Sequence, residues 1–202
     1  MIKVGITGGI GSGKTTVSSI FQELGVPVYN SDLRAKWLMA NHEPLKLELL
    51  KQFGSETYTD GDLNRAYLSK LVFGNSKKLT QLNNSVHPVV RNDFINWLED
   101  KKGSKMIIKE AAILIESGAY KELDQIILVV CSEENRIKRV MLRDKVKSES
   151  VKQRIQFQMN DQEKLRLADH IINNEKDDLM ILKEQIKSLY NKIIDLSKPE
   201  DL

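Results

Sequence analysis

Nine consecutive residues near the N-terminus combine glycines, a lysine and two threonines at a spacing that can hold phosphate. Residues 8–16 read Gly-Gly-Ile-Gly-Ser-Gly-Lys-Thr-Thr and match the pattern G-x-x-x-x-G-K-[ST]. Glycines allow the backbone to curl so that several N–H groups point inward at an anion. Lys14 adds a positive charge for the β- and γ-phosphate oxygens, and the Thr15 hydroxyl can ligate Mg²⁺. The pattern therefore predicts a site for a nucleoside triphosphate, taken here as ATP, with Mg²⁺. The residues expected to contact the nucleotide are Gly9, Gly11, Ser12, Gly13, Lys14, Thr15 and Thr16.

The elements around this motif are those that a phosphate-binding loop requires. Residues 2–7 form a short apolar run bounded by glycine, which predicts a buried strand. A helical period begins near Lys14 and ends at Gly25, and residues 26–29 predict a second strand. A strand, a helix and a strand within about thirty residues form a βαβ unit, so the sheet should be parallel. This context argues against a glycine-rich turn that binds nothing.

The rest of the chain supplies further strands and two helical regions. Residues 33–98 have mostly helical patterning with polar turns, and residues 133–166 are helical in pattern and strongly charged. A closing amphipathic helix is expected at 179–196. Apolar runs typical of strands buried on both faces of a parallel sheet occur at 106–108 and 126–131, and residues 170–172 are a last short strand candidate.

Together these elements predict an α/β protein with the three-layer α/β/α fold of P-loop NTPases and a parallel five-stranded sheet. We expect the nucleotide-binding core to consist of residues 1–32, 104–135 and 165–202. Residues 33–103 would form a helical lobe for the acceptor substrate, and residues 136–164 would form a basic lid.

Composition and charge exclude several classes of protein. The 202 residues include one cysteine, Cys131, so an intramolecular disulfide framework and a multi-cysteine metal site are ruled out. No run approaches the ~20 apolar residues of a membrane helix and no targeting segment is visible, so we expect a cytoplasmic protein without a membrane partner. Residues 136–154 hold eight basic and two acidic residues, +6 in a chain whose net charge is +3. This concentration of positive charge favours a lid that contacts phosphate over a surface that binds nucleic acid. The sequence does not indicate the oligomeric state.

A missing motif narrows the kind of P-loop protein. The sequence contains no N-K-x-D, the guanine-reading motif that a GTPase would need. A short P-loop chain with a helical insertion and a basic helical segment predicts a small kinase, with one lobe for the acceptor and a lid over the triphosphate. A regulatory P-loop NTPase and a nucleic-acid-binding ATPase are the alternatives from other classes.

Over nearly its whole length the sequence resembles the dephospho-coenzyme A kinase family. Its phosphate loop is similar to the family's T-G-G-I-G-S-G-K, which is more restrictive than the general pattern. Further resemblances, in chain order, are to D-A-D at 30–32, H-P-x-x-R at 87–91, D-x-P-L-L-F-E-S-G at 110–118, R-x-x-R-x-x-x-R-D at 136–144, and Q-M…K…A-D-x-x-I-x-N within 158–174. The resemblance implies ATP-dependent phosphorylation of the ribose 3′-hydroxyl of dephospho-CoA, the last step of coenzyme A synthesis. A nucleoside monophosphate kinase, which shares this plan, is the alternative.

The sequence departs from the family pattern at several positions. Asn30 replaces the first acid of D-A-D and leaves Asp32 as the only carboxylate of that motif. Glu110 replaces the strand-end aspartate and carries its charge on a longer arm, while Ala112 and Ile115 replace a proline and a phenylalanine.

Two acids are candidates for the chemistry. Asp32 follows a predicted strand, where open α/β sheets bind ligands, and an acid there can accept the proton of an attacking hydroxyl. Asp also favours helix N-caps, so capping of a helix that begins at Leu33 is the structural alternative. Glu110 ends an apolar strand, where it can hold Mg²⁺ and border the substrate, unless it is a solvated strand end.

The remaining candidates are basic or polar. His87 and Arg91 are expected to contact the acceptor, with Pro88 in a first helical turn. Three arginines at i, i+3 and i+7 can share one helical face toward the transferred phosphoryl group, with a solvated basic face as the alternative. They are Arg136, Arg139 and Arg143, of which we expect Arg139 and Arg143 to bind ATP and Arg143 to join Lys14 and Asp32 in catalysis. The resemblance further implies that Asn173 borders the adenine of ATP.

Overall fold

The computed structural model describes residues 1–196, and the chain divides into two compact units. One unit comprises residues 1–30 and 101–196, and the other comprises residues 31–100. Residues 197–202, which are part of the predicted core, lie outside the described residues. Among the described residues, no helix is long and apolar enough to cross a membrane.

The strands form one sheet in each unit. They are β1 (Ile2–Thr7), β2 (Val28–Asn30), β3 (Tyr58–Thr59), β4 (Asp62–Leu63), β5 (Met106–Glu110), β6 (Gln125–Val130) and β7 (His170–Asn173). The first unit holds a five-stranded sheet in the order β2-β5-β1-β6-β7, and every pairing in it is parallel. The predicted fold class, α/β with a parallel five-stranded sheet, is therefore confirmed.

Helices account for most of the remaining described chain. They are α1 (Lys14–Glu23), α2 (Ser31–Asn41), α3 (Glu43–Phe53), α4 (Arg65–Val72), α5 (Ser76–Glu99), α6 (Glu133–Asp144), α7 (Ser148–Gln156), α8 (Asp161–Leu165) and α9 (Leu179–Leu196). Two short 3₁₀ helices lie at Ser55–Thr57 and Ala119–Glu122. The closing helix has the bounds that its apolar stripe predicts.

Both faces of the parallel sheet are buried, as the continuous apolar runs predict. Alternate strand residues such as Val4 and Ile127 pack with α1 and α9 in one apolar cluster. On the opposite face, a Cβ atom at Gly5 would overlap the side chains of Leu114 and Leu123. Glycine at position 5 thus lets the chain after β5 lie close against the sheet, which brings that segment near the end of β1.

The second unit is helical except for one hairpin. Three of its helices begin with a side chain that accepts a backbone N–H, at His42, Asn64 and Asn75. The sequence predicted a polar turn near Asp60 but not the antiparallel pair β3–β4 that flanks it. These two-residue strands are too short to show the alternation by which strands are recognised.

Two local predictions are wrong. Pro88 lies in the interior of α5, which begins twelve residues earlier at Ser76, so it is not in a first turn. Proline has no N–H to donate to the carbonyl of Asn84, and the rest of this long helix tolerates the missing bond. Cys131 follows β6 rather than ending it; its side chain is buried.

Candidate active site

The carboxyl ends of three neighbouring strands converge on the phosphate loop of residues 8–16. Glu110, the last residue of β5, pairs in register with Ile6 of β1 and with Asn30 of β2. Its Oε1 atom accepts a hydrogen bond of 2.8 Å from the Thr15 hydroxyl, and its Oε2 atom accepts one of 2.9 Å from Asn30 Nδ2. The Glu110 side chain is only 3% exposed, which excludes a solvated strand end. The longer arm of this glutamate therefore reaches the loop.

Lys14 already lies along the inner side of the phosphate loop. Its buried ammonium group donates to the carbonyl oxygens of Gly8 at 2.9 Å and Gly9 at 3.1 Å. It is the first residue of α1, whose positive dipole end favours anions. Positive φ angles at Gly11 (81°) and Gly13 (94°) shape the loop, and residues other than glycine rarely adopt such angles. The loop therefore presents backbone amides and a lysine to one anion site.

Thr15 and Glu110 form a donor set that fits Mg²⁺. Mg²⁺ prefers oxygen ligands and keeps several waters, so one carboxylate and one hydroxyl beside a triphosphate are sufficient protein ligands. Within residues 1–196, no group of three or more histidine, cysteine, aspartate or glutamate side chains is placed to hold a metal by itself. The carboxylate and the hydroxyl are joined by a direct hydrogen bond, which places both oxygens at one point beside the loop.

Arg136 contacts the loop, although the sequence analysis did not assign it to ATP. Its side chain is buried, and a Cβ atom at Gly9 would overlap its Nη1 atom. The Nη1 atom donates to Asp161 at 3.1 Å. Arg136 was recognised only as part of a charged helical face, and its burial could not be read from that spacing.

The other two arginines of α6 make different contacts. Arg139 donates to the carbonyl of Asn174 at 2.9 Å and to the Asp177 carboxylate. Arg143 is exposed and pairs with its neighbour Asp144, and this pairing raises the pKa of Arg143. The three arginines therefore have three different sets of partners. They share one helical face but lie at different heights along the helix axis, so different segments meet each of them.

An asparagine beside β7 contacts the loop, but it is Asn174 rather than Asn173. Asn174 is buried, its Nδ2 atom donates to the carbonyl of Ser12 at 2.8 Å, and a Cβ atom at Gly13 would overlap it. Asn173 is exposed, and its side chain accepts the backbone N–H of Glu175. The spacing A-D-x-x-I-x-N places the motif's asparagine at Asn174, so that signal was present in the sequence.

The segment after α7 also reaches the loop. The Oε1 atom of Gln158 accepts the backbone N–H of Ile10 at 2.8 Å. Glu116 accepts the backbone N–H of Met159 at 3.2 Å and forms an ion pair of 3.2 Å with Lys164. The Lys164 side chain is fully buried. These contacts join residues 158–164 both to the phosphate loop and to the segment after β5.

Three predicted site residues belong to the second unit. Asp32 is the second residue of α2, which begins at Ser31, so it does not cap a helix starting at Leu33. His87 and Arg91 are one turn apart on α5; burial lowers the pKa of His87, which favours its neutral form. Arg91 is exposed. Their roles toward the acceptor stay predictions.

Comparison with known proteins identifies the family. A family model described as dephospho-CoA kinase matches residues 2–179. The chain belongs to the dephospho-CoA kinase family. A dephospho-CoA kinase of Bacteroides fragilis is 40% identical over 194 residues, which is 95% of each chain. Membership in this kinase family implies the use of ATP.

Solved structures agree with the family. A Thermus thermophilus protein of known crystal structure superposes with a TM-score of 0.81 at 30% identity, covering 98% of both chains. A dephospho-CoA kinase from Campylobacter jejuni gives 0.70 at 26% identity, covering 97% of this chain and 98% of its own. The dephospho-CoA kinase fold thus extends over both units of this chain.

Proposed function

We propose that this protein transfers the γ-phosphoryl group of ATP to the ribose 3′-hydroxyl of dephospho-CoA, giving coenzyme A and ADP in the last step of coenzyme A synthesis. The observation that carries the proposal is the buried Glu110 carboxylate, hydrogen-bonded to Thr15 of the phosphate loop in a member of the dephospho-CoA kinase family. A carboxylate and a hydroxyl joined at a P-loop are the protein groups that phosphoryl transfer requires beside the triphosphate.

The chain's own groups bind and orient the triphosphate. The backbone amides at the start of α1 hold its phosphates, and Lys14 turns from the loop carbonyls toward the β- and γ-oxygens. Thr15 and Glu110 would hold Mg²⁺, which when bound neutralises phosphate charge. Arg139 and Arg143 are the arginines that we assign to ATP, and Arg143 adds positive charge during transfer.

Asp32 is the proposed proton acceptor for the attacking hydroxyl. It orients the ribose 3′-hydroxyl and takes its proton as the oxygen attacks the γ-phosphorus in line. His87 and Arg91, within the acceptor lobe of residues 33–103, bind the rest of dephospho-CoA. Residues 136–164 act as the lid, which excludes water and so suppresses hydrolysis of ATP.

One coupled assay tests the proposal. ATP consumption is followed with dephospho-CoA and, in parallel, with AMP, CMP, UMP and dTMP as acceptors, and the position of the new phosphate is read by ³¹P NMR. We expect stimulation by dephospho-CoA alone and a 3′-phosphate in the product. Stimulation by a nucleoside monophosphate instead would support the alternative kinase, and no stimulation by dephospho-CoA would overturn the proposal. The cytoplasmic location and the absence of nucleic-acid and membrane partners remain part of the proposal.

A further inference from the structure

Gly9 is a glycine for a reason other than its backbone conformation. It is absent from the residues of this loop with positive φ, which include Gly8, Gly11 and Gly13. A Cβ atom at Gly9 would instead overlap the guanidinium group of Arg136, at both its Nη1 and Cζ atoms. Space for the Arg136 side chain is therefore what excludes a larger residue at position 9.

Arg136 is held against the loop by more than packing. Its side chain is 7% exposed, and its Nη1 atom forms an ion pair of 3.1 Å with Asp161. A Cβ atom at Gly11 would lie only 2.5 Å from the backbone carbonyl oxygen of Arg136, so the helix itself lies close against the loop. Within the described residues, its buried Nε–H has no hydrogen-bond partner. A buried donor without a partner is unfavourable unless a nearby acceptor binds it.

The part of the loop that Arg136 contacts also holds the ammonium group of Lys14. That group donates to the carbonyls of Gly8 and Gly9, and Gln158 accepts the N–H of Ile10. Arg136 covers Gly9 between these two contacts. A shift of residues 8–10 would displace the two carbonyls that position the Lys14 ammonium group, but it would leave the backbone amides at the start of α1 in place.

We propose that Arg136 is a positioning residue for the terminal phosphate of ATP. Anchored by Asp161 and packed on Gly9, it fixes the Gly8–Ile10 arm of the loop and adds positive charge there. The inference rests on the proposed function only in requiring that the protein binds ATP. This role differs from the one proposed for Arg139 and Arg143. Those two arginines would contact ATP directly, whereas Arg136 acts through the loop.

Measurements of nucleotide binding in the absence of the acceptor distinguish this positioning role from a purely structural one. Isothermal titration with ADP and with a non-hydrolysable ATP analogue compares wild type, Arg136→Lys and Arg136→Ala. We expect Arg136→Ala to weaken binding of the ATP analogue by about tenfold, which is the size expected when one charged interaction is lost. Binding of ADP, which lacks the terminal phosphate, should weaken by less than about threefold. Arg136→Lys should recover part of the loss. Lys183→Ala, which removes another cation paired with a carboxylate, lies outside the lid and the loop; it is the matched control and should leave the ratio unchanged.

A double-mutant cycle tests the contact itself. Gly9→Ala should weaken binding of the ATP analogue by about tenfold or more in the wild-type background, but by less than about threefold in the Arg136→Ala background. If Gly9→Ala fails to fold, Arg136→Ala must restore the melting transition. Equal losses in the two backgrounds, no rescue of folding, or equal weakening of ADP and the ATP analogue would overturn the proposal. None of these results depends on dephospho-CoA, so failure of the proposed reaction would be seen separately.

Discussion

At the scale of single residues, the site depends on side chains whose hydrogen bonds come from neighbouring strands. Glu110 and Asn30, two of the departures from the family pattern, are paired in register and hydrogen-bonded to each other. An amide at position 30 donates to the carboxylate, whereas a second carboxylate there would repel it. The two departures are therefore one arrangement, and the site retains a single negative charge at the end of β5.

Asp32→Asn should fold normally and lose kcat by about 10²–10⁴-fold, because asparagine cannot accept the hydroxyl proton. Steady-state kinetics with dephospho-CoA and a thermal melt measure the two effects. Asp62→Asn, at an exposed carboxylate of the same unit, is the control. A near-normal kcat for Asp32→Asn would remove this residue from the mechanism.

Glu110→Gln keeps the side-chain shape but removes the charge that would hold Mg²⁺. We expect the Mg²⁺ concentration for half-maximal activity to rise by about tenfold or more, the range seen when metal sites are perturbed. Asn30→Ala removes a hydrogen bond but keeps the carboxylate, so it should raise this Mg²⁺ concentration by less. An unchanged Mg²⁺ dependence in Glu110→Gln would contradict the assignment of this carboxylate to the metal.

At the scale of elements, hydrogen bonds connect the start of α6 to the segment that follows β7. Glu175 accepts hydrogen bonds from the Ser132 hydroxyl and backbone N–H and from Asn135 Nδ2. These bonds, the Ser132 hydroxyl first, lower the pKa of Glu175 below its usual 4.5. Because α6 carries Arg136 and Arg139, this contact helps to position both arginines.

The lowered pKa predicts how this contact depends on pH. A carboxyl whose pKa is lower in the folded state stabilises the fold above its unfolded value and loses that contribution as pH falls through the folded value. Wild type should therefore melt above Glu175→Gln at neutral pH, and the difference should shrink as the pH falls below 4.5. Thermal unfolding across that range measures it, with Glu184→Gln on α9 as the control. A difference that grows in acid would contradict the stated contact.

At the scale of the whole molecule, the basic stretch is less charged than its sequence implies. Three acids outside 136–154 pair with its cations: Glu134 with Lys138, Asp161 with Arg136, and Asp177 with Arg139. The sum of +6 leaves out these acidic partners. The Glu134–Lys138 pair lies within one helix at i, i+4, but the pairs of Asp161 and Asp177 depend on which segments lie against α6, so a linear count of charge does not include them.

The sequence by itself determined the parts of this protein that depend on local pattern. The phosphate loop, the buried strands and the bounds of α9 follow from residue type and spacing, since turn geometry and burial periodicity act over a few residues. Tertiary structure decided which groups meet at the loop: Glu110 with Asn30, Arg136 on Gly9, Gln158 on Ile10, and Asn174 on Ser12. These contacts join residues up to 162 positions apart, and only strand register and helix packing bring such residues together.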